Sequence, residues 1–418
     1  MRILILAVGS QGDVAPYTGL GARLREAGHG VAVAAAERFA PQVLAAGLEF
    51  RVLPGDPRSA AATEKGRRWQ GGAGGAMSIG RYLSMLAEES RELNDGMLAA
   101  ARQGADLLLL SGSALLGYQI AEGMGIPSMG VFLQSILPTG AVPPLATAGR
   151  SLGRLGNRAV SELTGVAIGR LFDATTTELR RKVGLPPKRP AELRREWAER
   201  RWPVLHGFSP SVVPRPSDWR EGMEVTGFWW PHVDPAWTPP RRLTDFLAAG
   251  PPPVYVGFGS RNPGDSARLN EVVRTALRMA GVRGVVQAGW ADLSIEDSDV
   301  ITIGEAPHEW LFPRTAAVVH HCGAGTTAAG LRAGVPTVGV PVITDQPFWA
   351  ARVASLGAGP KPVPYRKLTA RRLAEAIRLA LAEPAHGRRA RELAGRIAVE
   401  DGAGRALAAI DRLPARTT

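Results

Sequence analysis

Short runs of β-branched and leucine residues alternate with longer segments rich in Ala, Leu and Arg along nearly the whole chain. This order predicts strand, helix, strand with parallel pairing. The predicted strands of a first half are residues 3–8, 31–35, 107–110, 128–132 and 204–208, and those of a second half are 254–258, 285–288, 300–303, 317–320 and 336–340. The pattern is α/β, with two doubly wound halves. Between them, residues 225–253 hold Trp229, Trp230, Pro231, Pro235, Pro239, Pro240 and the run 251–253, which predicts neither regular helix nor central strand. The division expected is therefore a first domain over 1–228, a linker over 229–253, a second domain over 254–387 and a helical tail over 388–418. Leu393, Ile397, Leu407 and Ile410 give the tail one apolar face, and Gly402 and Gly404 are expected to interrupt it. The tail is expected to pack back on the first domain. Residues 55–78, rich in Gly, Ala and Arg around Trp69, predict a long loop beside a site.

Composition narrows the class. In 418 residues, 45% are hydrophobic and 21% charged, a globular profile long enough for two or three domains at roughly 100 to 200 residues each. One cysteine, Cys322, excludes a disulfide scaffold. The longest apolar runs, such as residues 3–8, fall short of the roughly 18 residues that span a bilayer, and the start reads as a strand rather than a signal peptide, so a cytoplasmic protein is expected. The net charge of +12 raises the question of nucleic acid or anionic membranes. The excess lies mainly in 180–201 and 366–396, each with nine basic against three acidic residues at helical spacing, which reads as solvated helix face. No base-reading motif accompanies them, so no nucleic acid is expected; weak peripheral attraction to acidic surfaces is the remaining implication.

In open parallel sheets, ligands sit beyond the carboxyl ends of strands, where helix N-termini offer free N–H groups to phosphate. Two turns qualify: GSQGD, residues 9–13, after the first strand, and HHCGAGTT, residues 320–327, before an Ala-rich helix. Glycines allow close backbone approach, His321 can donate to a phosphate, and the threonine hydroxyls add donors. Asp345 and Gln346, on a later loop, suit paired hydrogen bonds with sugar hydroxyls, although Asp345 could equally cap the helix that follows, as Asp13 could cap the first.

HHCGAGTTAAGLRAGVPTVGVPVITDQPFWAARV, residues 320–353, resembles the nucleotide-sugar signature of the GT-B glycosyltransferases that decorate natural products and sterols. GSQGDVAP (9–16), VGFGS (256–260) and APHEWLFP (306–313) are similar to further motifs of that family. The resemblance implies two Rossmann-like domains facing across a cleft, acceptor in the first and nucleotide sugar in the second. It assigns Ser260, His321, Gly323, Gly325 and Thr326 to the pyrophosphate, Trp290 to stacking on the pyrimidine, and Ala306 and Glu309 to the nucleoside. It also assigns Asp345 and Gln346 to the transferred sugar, the Ser10 and Gly12 loop to approach of the donor, and Asp13 to the acceptor hydroxyl. Displacing a nucleoside diphosphate from an anomeric carbon needs a base and stabilisation of the departing phosphates, and a single direct displacement inverts the centre. The expected reaction moves sugar from a UDP- or dTDP-sugar to a hydrophobic small molecule such as a polyketide, macrolide, terpenoid or sterol. Trp69, Met77, Tyr82, Met85, Phe132 and Leu137 are the apolar candidates for the acceptor pocket. Cys322 stands where the family usually has glycine.

Asp297-Ser298-Asp299 spells a metal-binding DxD string, but it precedes a predicted strand and reads as a turn, and the adjacent His320 and His321 would point to opposite faces. No metal or other cofactor is expected, in a monomer or homodimer. Three rivals remain. An epimerase or phosphorylase could use the same donor site. A dinucleotide oxidoreductase is formally allowed by Gly323, Gly325, Ala328 and the later Asp345. A non-catalytic partner could bind a sugar nucleotide or hydrophobic ligand and activate another enzyme, but the joint presence of Asp13, His321, Asp345 and Gln346 argues against lost chemistry.

Overall fold

The computed structural model describes residues 1–56, 90–259, 266–295 and 297–413. The first sheet holds β1 (Arg2–Leu6), β2 (Gly30–Ala36), β3 (Glu49–Leu53), β4 (Leu107–Leu110), β5 (Ser128–Phe132), β6 (Val204–His206) and β7 (Met223–Val225). All pairs are parallel, in the order β3-β2-β1-β4-β5-β6-β7. The second sheet holds β8 (Val254–Gly257), β9 (Gly284–Gln287), β10 (Val300–Ile303), β11 (Ala317–His320) and β12 (Thr337–Gly339), also parallel, in the order β10-β9-β8-β11-β12. In each sheet the order turns back at the first strand. The crevices at those reversals, beyond β1 and β8, are where such sheets take ligands.

The central strands are sealed on both sides, with Leu4, Ile5 and Leu6 of β1 and Val254 and Val256 of β8 fully buried. That is why they read as continuous apolar runs. Two strands escape the pattern. β3 carries Arg51, whose buried guanidinium donates to the carbonyls of Ala100 (2.7 Å) and Gly104 (3.0 Å). β7 is only three residues long.

Three expectations need correction. The linker contains a helix, Arg241–Ala248, because Pro240 sits at its N-cap rather than inside it and the helix buries its own Leu243. The tail breaks at residues 399–401, and Gly402 and Gly404 begin a new helix, Gly402–Asp411, whose cap Asp401 accepts the Gly404 N–H at 2.8 Å. The helix before it, Pro384–Ala398, lies against Ala324–Ala333 of the second half, while Gly402–Asp411 lies against Gln11–Glu26 of the first. Finally, Arg180 is no solvated side chain: it is fully buried and ion-paired to Glu122 at 2.7 Å. Among the described residues no helix is long and apolar enough to cross a membrane.

The halves are joined by more than their linker. One apolar cluster takes in Leu6, Phe132 and Phe208 from the first half and Leu331, Phe348 and Trp349 from the second. Arg352 donates to the Val212 carbonyl at 2.5 Å, and the hydroxyls of Ser209 and Ser211 donate to one oxygen of Glu400 at 2.7 and 2.9 Å.

Candidate active site

Three residues beyond β1 lies Gly9, at φ +139°, and the chain turns there into helix Gln11–Glu26. Asp13, in the first turn, folds back so that its Oδ2 accepts the Ser10 N–H at 2.9 Å and the Ser10 hydroxyl at 3.0 Å. A Cβ on residue 9 would lie 2.5 Å from that oxygen, so glycine is required there. Ser10, not Asp13, is the N-cap, and Asp13 closes the capping box from inside the helix. One turn on, the Tyr17 hydroxyl donates to the Val131 carbonyl at 2.7 Å. Burial, and then the charge of Asp13, push its pKa well up, so Tyr17 stays protonated.

Across the cleft, β11 delivers two histidines with different fates. His320 is fully buried and its Nδ1 accepts the Cys322 N–H at 2.9 Å; burial, followed by His308, pulls its pKa down to about 3, so it is neutral. The His321 ring is held between two turns. A Cβ on Gly259 would come within 2.7 Å of its Cε1, and one on Gly323 within 2.6 Å of its Nε2. The glycines after β8 and β11 thus form a slot for one imidazole. Gly323 is then the N-cap of helix Ala324–Ala333, whose first turn carries Gly325 and Thr326, half exposed. This end of the helix presents backbone donors and positive potential beside His321.

Cys322 has φ +62°, the left-handed region that favours glycine. Its thiol is fully buried, and burial raises its pKa, so it takes no part as a nucleophile.

The loop after β12 is the third component. Thr344 is left-handed at φ +56°, and Asp345 stands at the N-cap position of helix Gln346–Ser355 without capping it. Instead its Oδ2 accepts the Trp349 indole N–H at 3.0 Å and its Oδ1 the Thr344 hydroxyl at 3.1 Å. The fully buried Gln346 accepts the N–H groups of Val342 (2.8 Å) and Ile343 (3.2 Å) through Oε1. Its carboxamide fixes the loop that carries Asp345.

Helices Gln11–Glu26 and Ala324–Ala333 touch across the cleft. Val8 and Ala324, which border the two glycine turns, both lie on the apolar cluster that the halves share. Trp290 joins them: its backbone N–H donates to the Gly259 carbonyl at 3.0 Å, and the Arg38 guanidinium from the first half lies 4.9 Å from its ring centre. Arg38 also pairs with Asp56 at 3.5 Å. Nothing in the sequence signals Arg38. Glu309 pairs with Arg332 at 3.2 Å, whose guanidinium stacks on Trp230 at 4.4 Å, and Arg332 lies at the opposite end of helix Ala324–Ala333 from His321. Ala306 is half-buried on the loop before His308–Leu311.

Of the acceptor candidates, Phe132 is buried between Trp202 and His206, at 6.4 and 5.8 Å between ring centres, and Leu137 packs half-buried on the shared cluster. Trp69, Met77, Tyr82 and Met85, and the donor-side Ser260, lie outside the described residues. Asp297 accepts the Ser298 N–H at 2.7 Å in a turn before β10, and no cluster of three or more His, Cys, Asp or Glu suited to a metal occurs among the described residues.

Comparison with known proteins agrees in both halves. Residues 3–88 match the N-terminal domain of glycosyltransferase family 28, and residues 288–403 match the C-terminal domain typified by erythromycin biosynthesis protein CIII. The chain is 37% identical over 417 residues to O-mycaminosyltylonolide 6-deoxyallosyltransferase of Streptomyces fradiae, covering 96% of this chain and 95% of that one. It is 34% identical to a sterol 3-beta-glucosyltransferase of Arabidopsis thaliana, covering 91% of this chain and 61% of that longer protein. Among solved structures, the calicheamicin glycosyltransferase CalG4 superposes at a TM-score of 0.72 with 20% identity, covering 99% of this chain and 100% of that one. VinC in complex with dTDP superposes at 0.67 with 19% identity, covering 98% and 99%.

Proposed function

Because the chain belongs to the GT-B glycosyltransferases of the natural-product and sterol type, we propose that it transfers a sugar from a UDP- or dTDP-sugar to a hydroxyl of a hydrophobic small molecule, with inversion. The observation that carries this reading is that the helices opened by the Gly9–Asp13 turn and by the His321–Thr326 turn, one from each half, touch. Asp13 takes the proton of the acceptor hydroxyl as that oxygen attacks the anomeric carbon from the face opposite the diphosphate. The departing diphosphate is met by His321, by the N–H groups of Gly325 and Thr326 and by the Thr326 hydroxyl, which stabilise the charge it gains without a metal. Asp345 holds hydroxyls of the sugar from the loop that the buried Gln346 fixes, so Gln346 acts as its support rather than as the sugar contact the resemblance implied, and Trp290 supports the pyrimidine. Two proteins of this fold support the donor and acceptor classes: VinC binds dTDP, and the Streptomyces fradiae relative is a 6-deoxyallosyltransferase of O-mycaminosyltylonolide.

A screen of nucleotide sugars for thermal stabilisation tests the reading, since a ligand bound only to the native state raises apparent stability. A UDP- or dTDP-sugar should stabilise the chain, and nucleoside diphosphate should appear only when an acceptor alcohol is added. Release that needs no acceptor, or a product with retained configuration, would reject it.

Two substitutions probe the donor side. His321→Ala should weaken UDP or dTDP binding by about tenfold, the loss of one charge-assisted or buried donor to phosphate. Calorimetry giving equal Kd values for both proteins would remove His321 from the diphosphate site. Trp290→Ala should weaken the same ligand by a similar factor while leaving inorganic pyrophosphate binding unchanged. Arg38→Ala should shift nucleotide Kd in the wild type but not in the Trp290→Ala background, because a cation over a ring loses its effect with the ring.

A further inference from the structure

Helix Gly153–Leu171 is the longest of the described helices, yet Asn157 is its only buried residue. Leu152, Leu155, Ala159 and Leu163 recur at spacings of three, four and four, so they form one stripe. The stripe is open: Leu155 is 87%, Leu163 68% and Leu152 54% exposed. Basic groups predominate beside the stripe, although exposed Asp173 follows the helix end. Arg150 and Arg154 stand at its start and Arg170 at its end, all exposed, while Glu162, the single acid of the helix, is paired with Arg158 at 2.9 Å. Arg158 also faces Asp218 at 3.8 Å.

We propose that this face docks reversibly on an anionic lipid bilayer. A helix with leucines on one side and arginines around them lies in the interface, apolar side chains among the acyl chains and guanidiniums at the headgroups. The charge complementarity favours lipid over a second copy of the chain, which would bring the same arginines together. The helix is also fixed to the loop that approaches the candidate site. Asn157 donates to the Gly140 carbonyl at 3.2 Å, and Gly149 lies so close to Pro347, two residues beyond Asp345, that a Cβ would sit 2.7 Å from its carbonyl. Docking therefore sets the acceptor-side loop at the membrane surface. Its use, collection of an apolar acceptor from the bilayer, rests on the acceptor reading above.

The test is co-sedimentation of the full chain with vesicles of phosphatidylcholine alone and with about one-third phosphatidylglycerol. The expected result is pelleting with the anionic vesicles only, weakened by salt, and at least a tenfold loss of binding for Leu155→Glu/Leu163→Glu with unchanged circular dichroism and unchanged turnover on a water-soluble acceptor alcohol. Arg154→Glu should weaken binding less. Equal pelleting of the double variant, or no pelleting of the unaltered chain, overturns the proposal. So does light scattering that shows a dimer which the double variant turns into a monomer. Vesicle binding that persists while no apolar alcohol is glycosylated would instead reject the acceptor reading and leave the docking intact.

Discussion

Replacing Asp13 by Asn is expected to lower kcat by about 10² or more and to leave UDP or dTDP binding within about twofold of its original strength. The substitution is informative because it is nearly silent structurally. An asparagine oxygen can still accept the Ser10 N–H and hydroxyl that hold Asp13 at 2.9 and 3.0 Å, so the capping box and the turn at Gly9 survive. What disappears is a proton acceptor. Tyr17, one turn away, cannot replace it, because its hydroxyl is committed to the Val131 carbonyl and burial opposes its ionisation. Steady-state turnover and calorimetric nucleotide binding on the same preparation separate the two roles. A variant that turns over at the original rate would leave Asp13 as a helix cap and nothing more.

The second large effect is on stability. Arg180→Leu is expected to cost about 3 kcal/mol, since removing one partner of a buried ion pair leaves the other charge uncompensated. Arg180 bonds Glu122 at 2.7 Å and the Pro186 carbonyl at 2.6 Å, and it also touches Gln119. Lys188, at 2.8 Å from Glu122 and 2.7 Å from Glu196, is the remaining cation and keeps the loss at the low end of the usual range. Burial alone would push the Glu122 carboxyl up, but the hydrogen bonds from Arg180 and Lys188 outweigh it and hold the group below its usual range. The stabilisation is therefore complete above the unfolded value of 4.5 and is lost as pH falls further. Urea unfolding followed by tryptophan emission reports the change locally, because Trp197 and Trp202 stack 5.2 Å apart beside Tyr118 in the same region. A midpoint unchanged at pH 7 but shifted at pH 4 would contradict the assignment.

Most strands were legible because parallel strands buried on both faces spell unbroken apolar runs. The glycine turns were legible because each borders such a run. β3 was not, since Arg51 breaks its apolar pattern by satisfying carbonyls from the interior. The helix Arg241–Ala248 was hidden by its prolines, which are breakers inside a helix but starters at its first positions. Gly402 and Gly404 misled for a related reason: a glycine can open a helix where a cap carboxylate needs room. Charge runs carry no depth information, so Arg180 looked the same as its solvated neighbours. The contact of Arg38 with Trp290 joins distant parts of the chain and has no local signature at all. The residue types of the candidate site were readable one by one. Their secondary ties, such as Asp345 to Trp349 or Gln346 to the Val342 and Ile343 amides, depend on backbone paths that only the fold defines.

Cys322 is the chain's single sulfhydryl, and it is enclosed beneath Gly339 with no exposed surface. Maleimide dyes added to the native enzyme should find nothing to react with. Any cysteine engineered onto the outside can then be tagged alone, which makes the natural chain a ready background for measuring by fluorescence whether the two lobes move relative to one another when nucleotide is added.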